Sequence, residues 1–193
     1  MKLIGAVLSV ASAQSGCNWI WGNSGDRLEC LPNFYVDGVC ESGRRDDCGG
    51  LGTAVSFGIH CCPASRNIPI GILSDCGWVS GGTGEDIECP KSEAGVTQLA
   101  FGRCSTSARS DSRGACQDED VHSVYCCSSE STVDEQYCGW LYETYGKNLL
   151  CPTNLVAAGF CGVNNTSDCK QGTRYSGIKC CPPEIVRAKF STK

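Results

Sequence analysis

The order of the cysteines constrains this chain more than any other feature of its sequence. All 18 cysteines fall into three sets of six with one shared order: a cysteine two residues before a tryptophan, a second cysteine, a Gly-x-Cys motif, a fourth cysteine and an adjacent closing pair. The sets are Cys17, Cys30, Cys40, Cys48, Cys61 and Cys62; Cys76, Cys89, Cys104, Cys116, Cys126 and Cys127; and Cys138, Cys151, Cys161, Cys169, Cys180 and Cys181. Matched order in every set indicates three internal copies of one structural unit.

The N-terminus has the composition of a secretory signal. Lys2 precedes an apolar run from Leu3 to Val10, and Ala11-Ser12-Ala13 forms a small-x-small cleavage site. We therefore predict a signal peptide over residues 1–13; the alternative is a buried first strand. Eighteen cysteines in even sets independently predict disulfides and hence a secreted, extracellular protein, because the cytosol keeps thiols reduced.

Charge and hydropathy narrow the range of partners. No apolar run approaches the roughly 18 residues that a membrane-spanning helix needs, so we expect no membrane span. The formal net charge is −5 and no basic run is present, which argues against nucleic acid as a partner. Asn164 and Asn165 begin two overlapping N-x-S/T sequons, so one of them is the expected glycosylation site.

Strands are the expected secondary structure, because no segment keeps a helical period and alternating residues lead into each closing cysteine pair. Before the first pair, Phe57, Ile59 and Cys61 share one strand face, while His60 and Cys62 lie on the other. The two neighbouring cysteines should therefore bond different partners.

Sequence alone leaves the disulfide map open, since six cysteines allow 15 pairings. The short segments between the third and fourth cysteines have the composition of hairpin loops, which favours Cys40–Cys48, Cys104–Cys116 and Cys161–Cys169. The closing pair would then receive the first two cysteines of its copy.

The copies define repeat 1 over residues 14–66, repeat 2 over 67–130 and repeat 3 over 131–193. Each is close to the size below which a domain needs disulfides to stay folded. They could form three separate beads or three sheets around one core. Ile68, Ile70, Ile72 and Leu73 make the first linker too apolar for a solvated tether, so we predict one compact all-β unit.

The aromatic residues are candidates for either a core or a binding surface. Trp19, Trp78 and Trp140 occupy the same position in their copies, which favours core side chains packed against disulfides over sugar-stacking platforms. Trp21 has no counterpart and is the expected surface aromatic. The candidate ligand-binding residues are Trp21, Tyr142, Tyr145 and Tyr175.

Short motifs within the copies resemble a known family. They are Trp21-Gly22, Glu29-Cys30, Asp37-Gly38, Asp46-Asp47 and Ile59-His60-Cys61, and later Leu150-Cys151-Pro152, Ala158-Gly159-Phe160 and Ser176-Gly177-Ile178-Lys179-Cys180. These resemble the repeat of the vitelline membrane outer layer proteins. The resemblance implies a β-prism of three antiparallel sheets around a pseudo-threefold axis, and an extracellular coat protein with a carbohydrate-binding groove. It implies no catalytic residues.

Residues for catalysis or metal binding are sparse. His60 and His122 occupy unmatched positions on the strand face away from the expected core, so we expect surface residues rather than members of a nucleophilic triad. The acidic runs Asp46-Asp47, Glu85-Asp86 and Asp118-Glu119-Asp120 are typical of solvated loops, although paired acids could serve glycoside hydrolysis. Each cysteine has a disulfide partner available in its copy, so we expect no metal site. Because no catalytic set of residues is recognised, we also expect no enzyme and no cofactor.

We therefore expect a secreted, disulfide-stapled structural or adhesive protein of an extracellular coat, matrix or filament, which self-associates. The first alternative is a carbohydrate-binding, lectin-like defence protein with a glycan ligand. The second is a multi-repeat protease inhibitor or toxin that acts through the loop from Ser105 to Gly114, with Arg103, Arg109 and Arg113 as candidate contacts.

Overall fold

The fold is almost entirely β. The computed structural model describes residues 16–23, 25–41, 56–65, 67–82, 84–91, 96–105, 116, 121–133, 135–144, 146–162, 169 and 175–185. Its strands are β1 Asn18–Asn23, β2 Arg27–Glu29, β3 Phe34–Glu41, β4 Ser56–Pro63, β5 Ser74–Gly82, β6 Asp86–Glu88, β7 Leu99–Cys104, β8 Val121–Ser128, β9 Ser131–Val133, β10 Gly139–Thr144, β11 Leu149–Leu150, β12 Val156–Cys161, β13 Tyr175–Cys181 and β14 Pro183–Ile185. A 3-10 helix spans Glu135–Tyr137. The all-β prediction is confirmed.

Several predicted features lie outside the described residues: the signal peptide over residues 1–13, Asn164 and Asn165, Tyr145, Cys48, and the acidic runs at 46–47 and 118–120. These predictions stay as they were made.

Three four-stranded antiparallel sheets make up most of the fold. The first sheet has the order β1-β4-β3-β11, the second β5-β8-β7-β2 and the third β10-β13-β12-β6. In each sheet three strands come from one copy, and the fourth is a short strand from another copy. Strand β2 leaves copy 1 for the second sheet, β6 leaves copy 2 for the third, and β11 leaves copy 3 for the first. We call β2, β6 and β11 the crossing strands.

Equivalent backbone hydrogen bonds hold the crossing strands at both ends. At the entering turn, the amides of Gly25, Gly84 and Gly146 donate to the carbonyls of Ser105, Gly162 and Glu41, at 2.8, 2.7 and 2.7 Å. These glycines have φ angles of 88°, 80° and 93°, a conformation that a side chain disfavours. At the far end, the amides of Cys30, Cys89 and Cys151 donate to the carbonyls of Phe101, Ala158 and Asp37. Each copy is thus bonded to the next in a closed cycle.

Glycine is required where each crossing strand passes its host sheet. The host strands β3, β7 and β12 each carry an irregularity in register directly before Gly38, Gly102 or Gly159, the glycine of the Gly-x-Cys motif. A Cβ atom at Gly102 would lie 2.5 Å from the Leu28 carbonyl oxygen, and one at Gly159 would lie 2.7 Å from that of Ile87. The motif therefore provides room for a neighbouring backbone.

A central core joins the three sheets. It contains residues from every copy, including the buried aliphatic residue of each crossing strand, Leu28, Ile87 and Leu149. Phe57, Ile59 and Cys61 face this core, as alternation predicts, whereas Cys62 belongs to a second core. Ile68 and Ile70 of the first linker are buried in that second core, but Ile72 is 86% exposed. The copies therefore share their apolar interior.

Disulfides follow one pattern in all copies. The first cysteine bonds the last, and the second bonds the first member of the closing pair. The bonds are Cys17–Cys62, Cys76–Cys127, Cys138–Cys181, Cys30–Cys61, Cys89–Cys126 and Cys151–Cys180. Cys104–Cys116 and Cys161–Cys169 are formed as the spacing predicts. Cys40 is also disulfide-bonded, while Cys48, its predicted partner, is outside the described residues.

Three of these bonds connect different sheets. Cys30 follows β2 in the second sheet, but its partner Cys61 lies on β4 in the first. By the same geometry, Cys89–Cys126 connects the third sheet to the second and Cys151–Cys180 connects the first to the third. These three disulfides, here called the ring disulfides, each lie within one copy and tie its crossing strand to its own sheet. The cycle between copies is completed by the hydrogen bonds of the crossing strands.

Candidate functional site

The outer faces of the sheets carry the repeated tryptophans. Trp19, Trp78 and Trp140 pair with His60, Tyr125 and Lys179 on the neighbouring strands. Their chain neighbours Ile20, Val79 and Leu141 pack against the central core, so the tryptophans point away from it. All three are half-buried, and the prediction that they fill the core is wrong. Trp140 does pack against a disulfide, Cys161–Cys169.

The first sheet presents a cluster of three aromatic rings on its outer face. The rings of Trp19 and Trp21 stack with centroids 5.0 Å apart and planes 14° apart, and the His60 ring lies 4.9 Å from Trp19. Trp21 lies over Gly58, where a Cβ atom would be 2.4 Å from its ring. A glycine on the neighbouring strand therefore allows the indole to lie against the sheet.

The other two sheets vary this arrangement. In the third sheet, Tyr142 stacks on Trp140 at 5.9 Å and lies over Gly177. In the second sheet, the corresponding residues are Ser80 and Ser123, whose hydroxyls are 2.7 Å apart. There Trp78 is flanked instead by the Tyr125 ring and by the Arg27 guanidinium, both 5.1 Å from its ring. The chain thus contains two versions of this face, one with stacked aromatic rings and one with paired serines.

The structure separates the predicted ligand-binding residues. Trp21 lies on the first sheet, whereas Tyr142 and Tyr175 lie on the third, where alternation places them on the same face. Each is half-buried. The Trp19–Trp21 pair is therefore the candidate platform on the first sheet, although the repeated position of Trp19 had favoured a core role for it over a sugar-stacking one.

A carboxylate and an imidazole lie beside this platform. Asp37 is the residue of β3 at which the register with β4 shifts. One of its carboxylate oxygens lies 2.7 Å from Nδ1 of His60, and the other lies 3.0 Å from Sγ of Cys62. The side chains of His60 and Asp37 are 16% and 18% exposed, so solvent reaches both. Burial and the nearby Asp37 charge raise the pKa of Tyr35 to about 12. The equivalent positions hold Tyr125 and Phe101 in copy 2, and Lys179 and Ala158 in copy 3.

His122 lies in a buried polar cluster where the three copies meet, so the prediction that it is a surface residue is wrong. Its Nδ1 is 3.0 Å from the Ser105 hydroxyl, which also donates to Glu41. Arg103 donates to Glu41 at 2.8 Å, and its guanidinium lies 5.6 Å from the Phe160 ring centre. These four polar residues are at most 2% exposed. His60, the other histidine that was predicted to lie on the surface, is partly buried.

The polar cluster does not have the geometry of a nucleophilic triad. A triad uses the two ring nitrogens of histidine for different partners, the nucleophile and the acid. Here both Ser105 and Glu41 lie on the Nδ1 side of His122, at 3.0 and 3.8 Å. The Ser105 hydroxyl is buried and donates to a carboxylate. The contacts of the polar cluster instead connect β3 of copy 1 to β7 and β8 of copy 2, beside Phe160 of copy 3.

Burial also bears on the inhibitor alternative. Arg103 is fully buried and paired with Glu41, so it cannot enter a protease pocket, and its predicted role as a contact is wrong. Arg109 and Arg113 lie outside the described residues. Of the acidic candidates, Glu85 accepts a hydrogen bond from the Gly82 amide at 2.8 Å in the turn before β6. That contact gives Glu85 a role in the turn.

Comparison with known proteins supplies no family: no protein-family model matches the chain, and a search of curated proteins finds no significant match. Among the described residues, no helix has the length and apolar character needed to cross a membrane. The many disulfides fit an extracellular protein.

Proposed function

We propose that the protein is a self-associating structural block of an extracellular coat, matrix or filament. The observation that carries this proposal is the closed cycle of crossing strands, which binds the three copies into one body, with a ring disulfide anchoring each crossing strand to its own copy. Such cross-linking reduces local opening, and local opening is what exposes a chain to proteases. The resemblance to vitelline membrane outer layer proteins supports the same role. Together with the cycle of crossing strands, it also supports a β-prism architecture.

Contacts between molecules would use the edges of the sheets. Strands β1, β5 and β10 are each the outermost strand of a sheet, with one hydrogen-bonded neighbour among the described strands. An edge strand offers unpaired amide and carbonyl groups to another chain. Three such edges on one rigid body allow each molecule to pair with more than one other copy, which is the requirement for an extended assembly.

Charged substitutions on these edges test the proposal. Asn18, Gly77 and Gly139 directly follow the first cysteine of each copy and are exposed. A Cβ atom at Gly77 or Gly139 would have nothing within 4 Å, so a side chain fits there. The triple variant Asn18→Lys/Gly77→Lys/Gly139→Lys should block edge pairing, because edge lysines oppose strand addition. Sedimentation velocity should show large particles for the natural chain and a single small species for the variant.

Gly16→Lys is the matched control, since Gly16 precedes β1 and its added Cβ would also meet nothing within 4 Å. The control should assemble like the natural chain. Repeating the triple substitution with glutamate separates edge blocking from a change in net charge, because both versions should block assembly. Assembly that survives both triple variants would exclude the edges as the contact surface.

The Trp19–Trp21 platform favours carbohydrate binding as a second candidate function. Parallel half-buried rings beside a solvent-accessible carboxylate suit a sugar, whose apolar face stacks on aromatic rings while its hydroxyls donate to acids. The double variant Trp21→Ser/Gly58→Ser gives the first sheet the Ser80–Ser123 arrangement of the second. Binding on a glycan array that disappears in this variant would support the platform. Binding that persists would place the sugar elsewhere.

A further inference from the structure

One side-chain cluster in copy 1 has the composition of a metal site. Cys17, Cys62, His60 and Asp37 each offer a ligand atom, and these atoms all lie within 4.8 Å of one another. Thiolate, imidazole and carboxylate together are the ligand types that zinc takes in proteins. In the oxidised protein the two sulfurs bond each other, so they are not available as thiolates.

The distances in this cluster are close to those of a tetrahedral zinc site. Zinc bonds of about 2.3 Å to sulfur and about 2.0 Å to nitrogen place neighbouring ligand atoms about 3.5 Å apart. Nδ1 of His60 is 3.9 Å from Sγ of Cys62, and Asp37 has one oxygen 2.7 Å from that nitrogen and the other 3.0 Å from that sulfur. The largest movement that binding requires is the separation of the two sulfurs.

The other copies have the same disulfide without the same neighbours. Cys76–Cys127 adjoins Tyr125 and Cys138–Cys181 adjoins Lys179 at the position of His60. Phe101 and Ala158 replace Asp37. Solvent reaches the cluster, because Cys17 is exposed and His60 and Asp37 are partly exposed. The chain therefore contains two internal controls for any property of the copy 1 cluster.

We propose that reduction of Cys17–Cys62 creates a zinc site with Cys17, Cys62, His60 and Asp37 as its ligands. An external dithiol would break the disulfide, become a cyclic disulfide itself and leave one proton on each cysteine sulfur. Zinc binding would then release both protons to solvent as the thiolates ligate the ion. The proposal is independent of self-association and of sugar binding.

Zinc-dependent reduction tests this directly. Because zinc would bind only the reduced pair, zinc at a hundred times its dissociation constant raises the ratio of reduced to oxidised pair about a hundredfold. The natural, folded protein is equilibrated in a reversible buffer of a dithiol and its cyclic disulfide, without zinc or with the free zinc concentration held constant by a metal buffer. After acid quenching and removal of zinc, isotopic alkylation and peptide mass spectrometry give the reduced fraction of every cysteine pair.

Zinc should increase the reduced fraction of Cys17–Cys62 and leave Cys76–Cys127 and Cys138–Cys181 unchanged. The substitutions His60→Tyr and Asp37→Ala, which copy the equivalent residues of copies 2 and 3, should abolish the increase. Cobalt added to the reduced natural protein should give thiolate charge-transfer absorption and the visible bands of tetrahedral cobalt. A zinc response that is absent, or equal in all three pairs, would overturn the proposal even if neither variant folds.

Discussion

The Arg103 guanidinium donates a hydrogen bond of 2.8 Å to the Glu41 carboxylate, and the two residues belong to different copies. Both side chains are almost completely buried, at 1% and 2% exposure. Glu41 also accepts from Ser105 of copy 2, and the Glu41 carbonyl accepts from Gly146 of copy 3. A single residue therefore contacts all the other copies, through its side chain and its backbone.

Removing one member of this ion pair should destabilise the fold strongly. Arg103→Met leaves the Glu41 carboxylate buried without its cation, and the free energy of unfolding should fall by about 3–5 kcal/mol. The double variant Glu41→Leu/Arg103→Met removes both charges and should be clearly more stable than Arg103→Met. Denaturant unfolding with the disulfides intact measures both values. Equal losses in the single and double variants would contradict the assignment of the loss to an uncompensated charge.

Acid should weaken the fold partly through Glu41. Burial alone would raise the pKa of Glu41, but the Arg103 and His122 charges and the Ser105 hydrogen bond outweigh burial and hold that pKa below its ordinary value of 4.5. The carboxylate therefore stabilises the fold fully above its unfolded pKa, and this contribution is lost as the pH falls through the lower, folded pKa.

The comparison of Glu41→Gln with the natural chain isolates this effect. The unfolding free energy of Glu41→Gln should be lower at neutral pH and should change less between about pH 5 and about pH 2. Some dependence should remain, because hydrogen bonds from Lys91 and Thr97 also lower the pKa of the partly exposed Glu135. Identical pH profiles for the two proteins would refute a depressed pKa for Glu41.

The His122 ring should make Gly162 intolerant of a side chain. A Cβ atom at Gly162 would lie 2.4 to 2.7 Å from three atoms of that buried ring. Gly162→Ala should cost about 1–3 kcal/mol through overpacking, and adding His122→Ala should relieve that overlap. Gly139→Ala is the control, since its Cβ would meet nothing within 4 Å. Thermal unfolding of the natural chain, Gly162→Ala, His122→Ala and the double variant gives the coupling between positions 162 and 122.

A ring disulfide should contribute more stability than a hairpin disulfide. Both bonds lie within one copy, but Cys30–Cys61 spans 31 residues and connects two sheets, whereas Cys161–Cys169 spans 8 residues. The chain-entropy argument gives the longer loop about 1 kcal/mol more stabilisation. Paired alanine substitutions at each disulfide, compared by denaturant unfolding, measure the difference. A larger loss from the Cys161–Cys169 variant would contradict the greater contribution of the ring disulfide.

Local patterns were sufficient to predict much of the fold. Alternation before the closing cysteine pairs correctly predicted that Cys61 and Cys62 face apart, and the short spacing of Cys104 and Cys116 correctly predicted their bond. Both predictions depend on contacts within one strand or one hairpin, where the period of the strand fixes the direction of each side chain. The all-β composition is equally local.

Contacts between copies were the part that sequence did not predict. The assignment of His122 to the surface failed because the residues that cover it, Glu41 and Gly162, come from other copies. The tryptophans lie outside the core because the aliphatic residues of the crossing strands occupy it. A signal for this was present, since Leu28, Ile87 and Leu149 each precede the second cysteine of their copy by two residues.

Assembly of the natural chain is the central claim of the proposed structural role. The direct measurement is the mass of the purified, non-reduced protein by multi-angle light scattering over a range of concentrations. The proposed role predicts a mass that grows with concentration well beyond the 20.4 kDa of one chain. A constant mass of one chain at every concentration would contradict self-association and leave carbohydrate binding at Trp19 and Trp21 as the better account.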